Sequence, residues 1–358
     1  MPISNRCNQP SIKPACNSRT RSPSARNNAY VKTFSSLTSV GKLRRLQSCA
    51  LDVVRDRFGL ANARVALISS HSFNSVFRVD CQGGQRFALR VGDGVRIHAA
   101  DVEEIEATWL ATLGSITSLR CVPNVAGQFT TVIEDDRLDH TRVVSLMTWV
   151  PGNPLRDRLD ADAMRHAGRL LAALHERSSE LNLQIDVTNV TANRVIYFGV
   201  KSLLAAHETS QGTLFSDATA RAQETLNALW AHSPHTPHLL HGDFGPHNVM
   251  RWRDALTPID FQDLQFGFDA QDLGIAIAVL TRKFPVFVDA FQLGYRDVRP
   301  WPSACNDLET MAAFTAMRSL NVLNLSLNLQ RFGSSEFTAA HTAIVKEWMK
   351  KSSRGPGR

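Results

Sequence analysis

No two of the six cysteines (Cys7, Cys16, Cys49, Cys81, Cys121 and Cys305) stand in CxxC spacing. That scatter argues against a zinc site or a disulfide framework and fits a reducing compartment, so a cytoplasmic location is the expectation. Long apolar runs are also missing. The longest, near residues 273–280, falls far short of the ~20 residues that cross a bilayer, and no secretory h-region precedes it, so no membrane partner is expected. Acidic residues are absent from the first 51 positions, which hold nine Lys or Arg. Taking those nine from the 40 basic residues leaves 31 against 33 acidic ones in 52–358. The formal charge of +7 therefore belongs to a tail, and no nucleic-acid partner is expected.

Residues 1–40 are rich in Ser, Asn, Arg and Pro and poor in large apolar side chains. Such a segment buries too little surface to offset the entropy of ordering it, so a disordered basic tail is expected. A transit peptide, a flexible extension and a start codon assigned too early remain open for it. Beyond the tail, 358 residues with 43% hydrophobic content are enough for two lobes, each with its own core.

Apolar and basic residues alternate at helical spacing over 43–58, and 65–68, 76–79 and 87–91 read as strands, with Gly83-Gly84 as a hairpin turn. A helix follows that carries Val102, Ile105, Trp109 and Leu113 on one face and Glu103, Glu104 and Glu106 around it. Strands are expected at 130–134 and 142–148. At Val150-Pro151-Gly152-Asn153-Pro154 the strand pattern breaks, because proline and glycine do not continue a central strand. The expected division is an N-lobe over 41–150 and a mainly helical C-lobe over 151–358. Helices are expected from Asp160 or Asp162 to about His175, and at 218–231, 269–280, 308–330 and 338–350.

Within the second half stands HGDFGPHN, His241 to Asn248, followed a dozen residues later by IDFQD. Two short strand-like pieces, 249–252 and 257–259, lie between them around a polar turn. A hairpin there returns Asp260 to the end where Asn248 begins. Phosphoryl transfer from a nucleotide needs a carboxylate to orient the attacking hydroxyl, and oxygen ligands to hold magnesium against the phosphates. In protein kinases these are a catalytic-loop Asp, an Asn five residues on and a later Asp. Asp243, Asn248 and Asp260 match that order and the first spacing.

These residues resemble the aminoglycoside phosphotransferase/choline kinase-like family, which carries HGDxxxxN and a following IDF or IDW. The resemblance covers most of 60–330 and includes LRVGDG (89–94), EIEATWLATL (104–113), the hinge-like Trp149-Val150-Pro151-Gly152, LLAALH (170–175) and Asp272-Leu273. It implies an α+β, bilobal protein-kinase-like fold, with a small antiparallel sheet and one helix in the N-lobe and a larger, mainly α C-lobe. For the site it implies Asp243 as catalytic base, Asn248 and Asp260 as magnesium ligands, and His241 and Asp272 as supports. Arg90 paired with Glu106, together with Ser72, Asn74, Thr148 and Val150, would bind the nucleotide. Arg90 departs from the lysine usual there, which keeps the charge but alters the geometry. The loop over the phosphates, Ser69 to Asn74, contains no glycine. ATP and Mg2+ are the implied cofactors.

The bland readings concern the neighbours. His232, His235 and His238 recur every third residue among prolines and read as a solvated extended loop. Asp263 and Asp269 read as structural or turn residues. For the acceptor, residues 176–240 hold six acids against four bases and 280–345 show no acidic excess, so a polycation is not favoured. The pattern of the IDFQDLQFGFDAQDLG run sits nearest the homoserine kinase-like, hydroxylysine kinase-like and stress-response Ser/Thr kinase-like members. A small-molecule hydroxyl is the expected acceptor, with a protein serine or threonine and a silent nucleotide-binding regulator as the alternatives.

Overall fold

The structure, a computed structural model, describes residues 33–70, 74–92, 99–181, 184–197, 200–210, 213–329 and 336–352. Helix α1 (Ser39–Asp56) leads into β1 (Arg64–Ser70), β2 (Asn74–Asp80) and β3 (Arg86–Gly92). Helix α2 (Ala99–Thr112), β4 (Cys121–Val122), β5 (Thr131–Ile133) and β6 (Arg142–Thr148) complete the first half. These strands make a six-stranded antiparallel sheet in the order β1-β2-β3-β6-β4, with β5 also on β6. Alternation on β2 and a near-continuous apolar run on β6 (RVVSLMT) match a strand near the edge and a central one.

α1 starts four residues before the expected helix because the Thr38 hydroxyl caps it, accepting from the Gly41 amide at 3.2 Å. Phe34 is buried beside Leu46 and Val54, with the Arg142 guanidinium 5.7 Å from its ring. Within 33–40, given to the tail on composition, Phe34 therefore packs into the cluster under the sheet with half-buried Leu37 against it, while the polar residues around them stay exposed.

The second half comprises β7 (Asn153–Pro154), α3 (Ala161–Glu180), α4 (Leu214–His232), β8 (His238–Leu240), β9 (Val249–Trp252), β10 (Ala255–Pro258) and β11 (Gln265–Gly267), then α5 (Asp269–Lys283), α6 (Val288–Arg296), α7 (Leu308–Asn328) and α8 (Glu336–Ser352). β9 and β10 form the expected hairpin, and β7 joins it at the edge. Proline is tolerated there because an edge strand leaves one side of its backbone without a ladder partner. β8 pairs with β11, a two-stranded ribbon the sequence did not signal. His238 lies on it and is 5% exposed, so the expectation that it belongs to a solvated loop is corrected. Its neighbours Leu239 and Leu240 carry the strand into the core.

The core does not divide where the sheet ends. α1 and the sheet share one apolar cluster, whereas Val102, Ile105 and Trp109 of α2 pack with α3 and Phe261 in the larger one. Trp109 is fully buried, meets Phe261 edge-on at 5.1 Å between centroids and donates its Nε1–H to Ser178 Oγ at 2.9 Å. α2 thus ties the two lobes together. Helices α3 and α6 cross backbone to backbone at Gly168 and Gly294, where an added Cβ would lie 2.0 Å from Phe291 O and 1.8 Å from Arg165 O. Gly294→Ala is expected to destabilise by about 1–3 kcal/mol through overpacking. An unchanged melting temperature would show that the two helices separate freely.

Candidate active site

Asp243, Asn248 and Asp260 come together as the hairpin spacing requires. Asn248 precedes β9, Asp260 follows β10, and Ile259 N donates to Asn248 O at 2.9 Å, closing the hairpin's open end. The Asn248 amide Nδ2 donates to both the main-chain O (3.0 Å) and Oδ2 (3.1 Å) of Asp243. Asp260 sits in the left-handed region at φ 65°, ψ 59°, a conformation Asp tolerates better than most residues. Burial pushes its carboxyl up to about 6; Arg90 opposes this, and Asp263 and Asp243 add to it. Such a concentration of carboxylate charge is one that a divalent cation relieves. Among the described residues no group of three His, Cys, Asp or Glu forms a preformed metal cage.

The loop bearing Asp243 is held from below. Asp272, fully buried, accepts from the amides of His241 (2.9 Å) and Gly242 (3.1 Å) and pairs with His175 Nε2 at 3.1 Å. Gly242 has φ +77°, and a Cβ there would lie 1.8 Å from Asp263 O, so the turn admits only glycine. The His241 Nε2–H donates to Ile259 O at 3.0 Å, while its Nδ1 accepts weakly from the Asp243 amide at 3.4 Å. Burial lowers its pKa, consistent with that neutral tautomer. Below this layer Asp269 gathers His238 Nε2 (2.9 Å), His175 Nδ1 (3.4 Å) and Arg299 Nε (2.7 Å). The sequence marked Asp269 as a structural or turn residue, and it stands at the centre of a buried polar cluster.

Two neighbours of Asp243 were not foreseen. Arg318, on α7, places Nη2 3.5 Å from Asp243 Oδ1 and pairs with Asp263 at 2.5 Å. His247 brings Nε2 to 3.4 Å from Asp243 Oδ2, its ring folded over Gly245. Burial would raise the Asp243 pKa, but Arg318 and then His247 outweigh it, holding the carboxyl below its ordinary range. His247 was visible inside HGDFGPHN; Arg318, 75 positions from Asp243, carried no local signal.

On the other side, β3 and α2 bring Arg90 to Glu106 as expected. Arg90 Nη1 donates to Glu106 Oε1 at 3.1 Å, and Nη2 contacts both Glu106 and the unforeseen Glu103. Arg90 is 5% exposed and Glu106 fully buried. Burial and the Glu103 carboxylate push Glu106 up against the pull of Arg90, whereas the carboxylates keep Arg90 firmly charged against the cost of its own burial. Arg90→Lys is expected to leave one of the two carboxylates without its partner, since an ammonium lacks the planar fork. A rise in the KM for nucleotide and a lower melting temperature, both partly restored by adding Glu103→Gln, are the measurements that check this.

Asn74 Nδ2 donates to Gln262 Oε1, joining β2 to the IDFQ segment. Ser72 lies outside the described residues. The Thr148 hydroxyl is committed to Ser118 O (3.0 Å) and the Arg120 amide (2.9 Å), and the Val150 side chain to the larger core.

A sheet lobe over a helical lobe, with Asp, Asn and Asp meeting at one end of a hairpin, defines the class: phosphoryl-transfer enzymes of protein-kinase-like fold. The sequence profile of APH, the phosphotransferase enzyme family, matches residues 64–311, and the chain belongs to that family. Solved structures of similar fold include an amicoumacin kinase in complex with AMP-PNP and Ca2+ (TM-score 0.66, 16% identity, covering 87% of this chain and 96% of that one). A microcompartment-associated aminopropanol kinase gives TM-score 0.60 at 21% identity, over 86% and 96% of the two chains. Aminoglycoside phosphotransferase APH(4)-Ia, as a thermostable mutant with ADP and hygromycin B, gives 0.54 at 15% identity, over 87% and 99%. No curated protein matched the chain.

Proposed function

We propose that this phosphotransferase moves the γ-phosphoryl group of ATP, held with magnesium, to a hydroxyl of a small molecule. The observation that carries this is the convergence of Asp243, Asn248 and Asp260 at one end of the β9–β10 hairpin. Asp243 accepts the proton of the acceptor hydroxyl as its oxygen forms the new bond to the γ-phosphorus and the bond to the β–γ bridging oxygen breaks, leaving ADP. A carboxylate held ionised by Arg318 and His247 is ready to orient that hydroxyl. With the Asn248 Nδ2 turned to Asp243, its amide oxygen and the Asp260 carboxylate would hold magnesium, which would neutralise phosphate charge. Arg90, braced by Glu106, serves the phosphates; Asn74 and the main chain at Thr148 and Val150 complete the nucleotide cleft. His241 and Asp272 hold the loop. Neighbours of this fold that are named for small amine and antibiotic acceptors support the small-molecule reading.

Magnesium-dependent ADP release over a panel of hydroxyl compounds tests the reaction. Magnesium-ATP at about 100 times its Kd should stabilise the fold by roughly 2.7 kcal/mol, seen as a higher melting temperature, and Asp260→Asn should remove most of the magnesium-dependent part. Absence of any shift at millimolar nucleotide would sink the ATP assignment, and binding without turnover of any acceptor would leave a nucleotide-binding regulator.

A further inference from the structure

Cations gather around the helix that packs on the catalytic loop. α5 runs along the catalytic loop, and a Cβ at Gly245 would lie 3.6 Å from Val279 Cγ1. Arg282 and Lys283 follow Val279 by three and four positions, which puts them on the same face of the helix one turn nearer its end. Both are exposed, and among the described residues neither has a carboxylate partner. From α7, Arg318 reaches Asp243 Oδ1 at 3.5 Å. Next to it in sequence, Ser319 Oγ meets His341 Nδ1 of α8 at 3.1 Å. Burial first, then Arg318, Arg282 and Lys283, push His341 down to about 4 against the opposing pull of Asp243, so these groups share one electrostatic neighbourhood. Arg318 is matched by Asp243 and Asp263; Arg282 and Lys283 are left as surplus positive charge. Two cations in a last helical turn also complement the helix dipole, a role that predicts no preference among acceptors.

We propose that the acceptor carries an anionic group, a carboxylate or a phosphate monoester, which docks against Arg282 and Lys283 while its hydroxyl reaches Asp243, and that these two residues set acceptor specificity. The proposal rests on the phosphoryl-transfer reading above. A positive rim attracts an anionic alcohol and repels a polyamine, in rate of encounter and in the bound complex. The acceptor class is then a hydroxy acid or a phosphorylated alcohol, and the product gains a phosphate ester while keeping its original anion.

Matched acceptors that differ in the anion test this: threonine against 1-amino-2-propanol, glycerate against glycerol, and glycerol 3-phosphate against glycerol. ADP release with the product identified by mass gives kcat/KM, and the thermal shift of the magnesium–AMP-PNP complex reports binding by acceptors that do not turn over. The anionic member of at least one pair should be favoured about tenfold or more, with added salt eroding the preference. Glycerate and glycerol 3-phosphate separate the carboxylate from the phosphate source. The double variant Arg282→Glu/Lys283→Glu, at exposed positions, should raise the KM of the anionic member about tenfold and leave the KM for ATP nearly unchanged. Preference for the neutral or amine members, no preference by either readout, or a double variant that keeps the preference would each overturn the proposal. Loss of nucleotide-induced stabilisation and of Asp243-dependent ADP release in every arm would instead strike the phosphoryl-transfer reading itself.

Discussion

Asp243→Asn should lower kcat by between about 10^2- and 10^4-fold, the span that a positioned general base commands, while nucleotide affinity stays close to that of the parent. The amide keeps the size of the carboxylate but takes no proton. Its NH2 would also face a donor whichever way it turned, because Oδ1 stands beside Arg318 Nη2 and Oδ2 beside Asn248 Nδ2 and His247 Nε2. Steady-state turnover and direct nucleotide binding measured on the same preparation separate the two effects. Unchanged kcat would remove Asp243 from the base role, and lost nucleotide binding would point to a collapsed loop.

The largest effect on stability is expected for Asp272→Ala. Its carboxylate is fully buried and receives the amides of His241 and Gly242 as well as His175 Nε2. Removal leaves two main-chain donors facing a cavity, and His175 loses one of its two acidic partners, at a cost of about 3–5 kcal/mol. For a chain of this size that corresponds to a fall in melting temperature of roughly 10 °C. Activity should fall as well, since Gly242 and Asp243 hang from those two hydrogen bonds. A fall of only a degree or two would mean that the β8–β11 ribbon alone holds the loop.

Much of the framework was legible along the chain because its signals are local. Strands were expected at 76–79 and 142–148, where β2 and β6 lie. Asp160 caps α3 as expected, accepting from the Ala163 amide at 2.7 Å. The hairpin between Asn248 and Asp260 followed from its two short apolar pieces. Shorter elements were lost: β7 and β11 are two and three residues long, and α6 has only nine residues. Phe34 was missed because a single buried aromatic leaves no pattern in a polar segment.

HGDFGPHN and IDF by themselves determined the order and spacing of Asp243, Asn248 and Asp260, hence the chemistry of phosphoryl transfer, since both the hairpin and the turn at Gly242 arise from residues close in sequence. Only the tertiary structure decided what surrounds Asp243. Arg318 arrives from α7, and Arg90, which faces Asp260, is gripped by Glu103 and Glu106 where β3 meets α2. These partners meet through helix packing over long separations along the chain, and the charge of a side chain carries no mark in sequence of which distant carboxylate it will face.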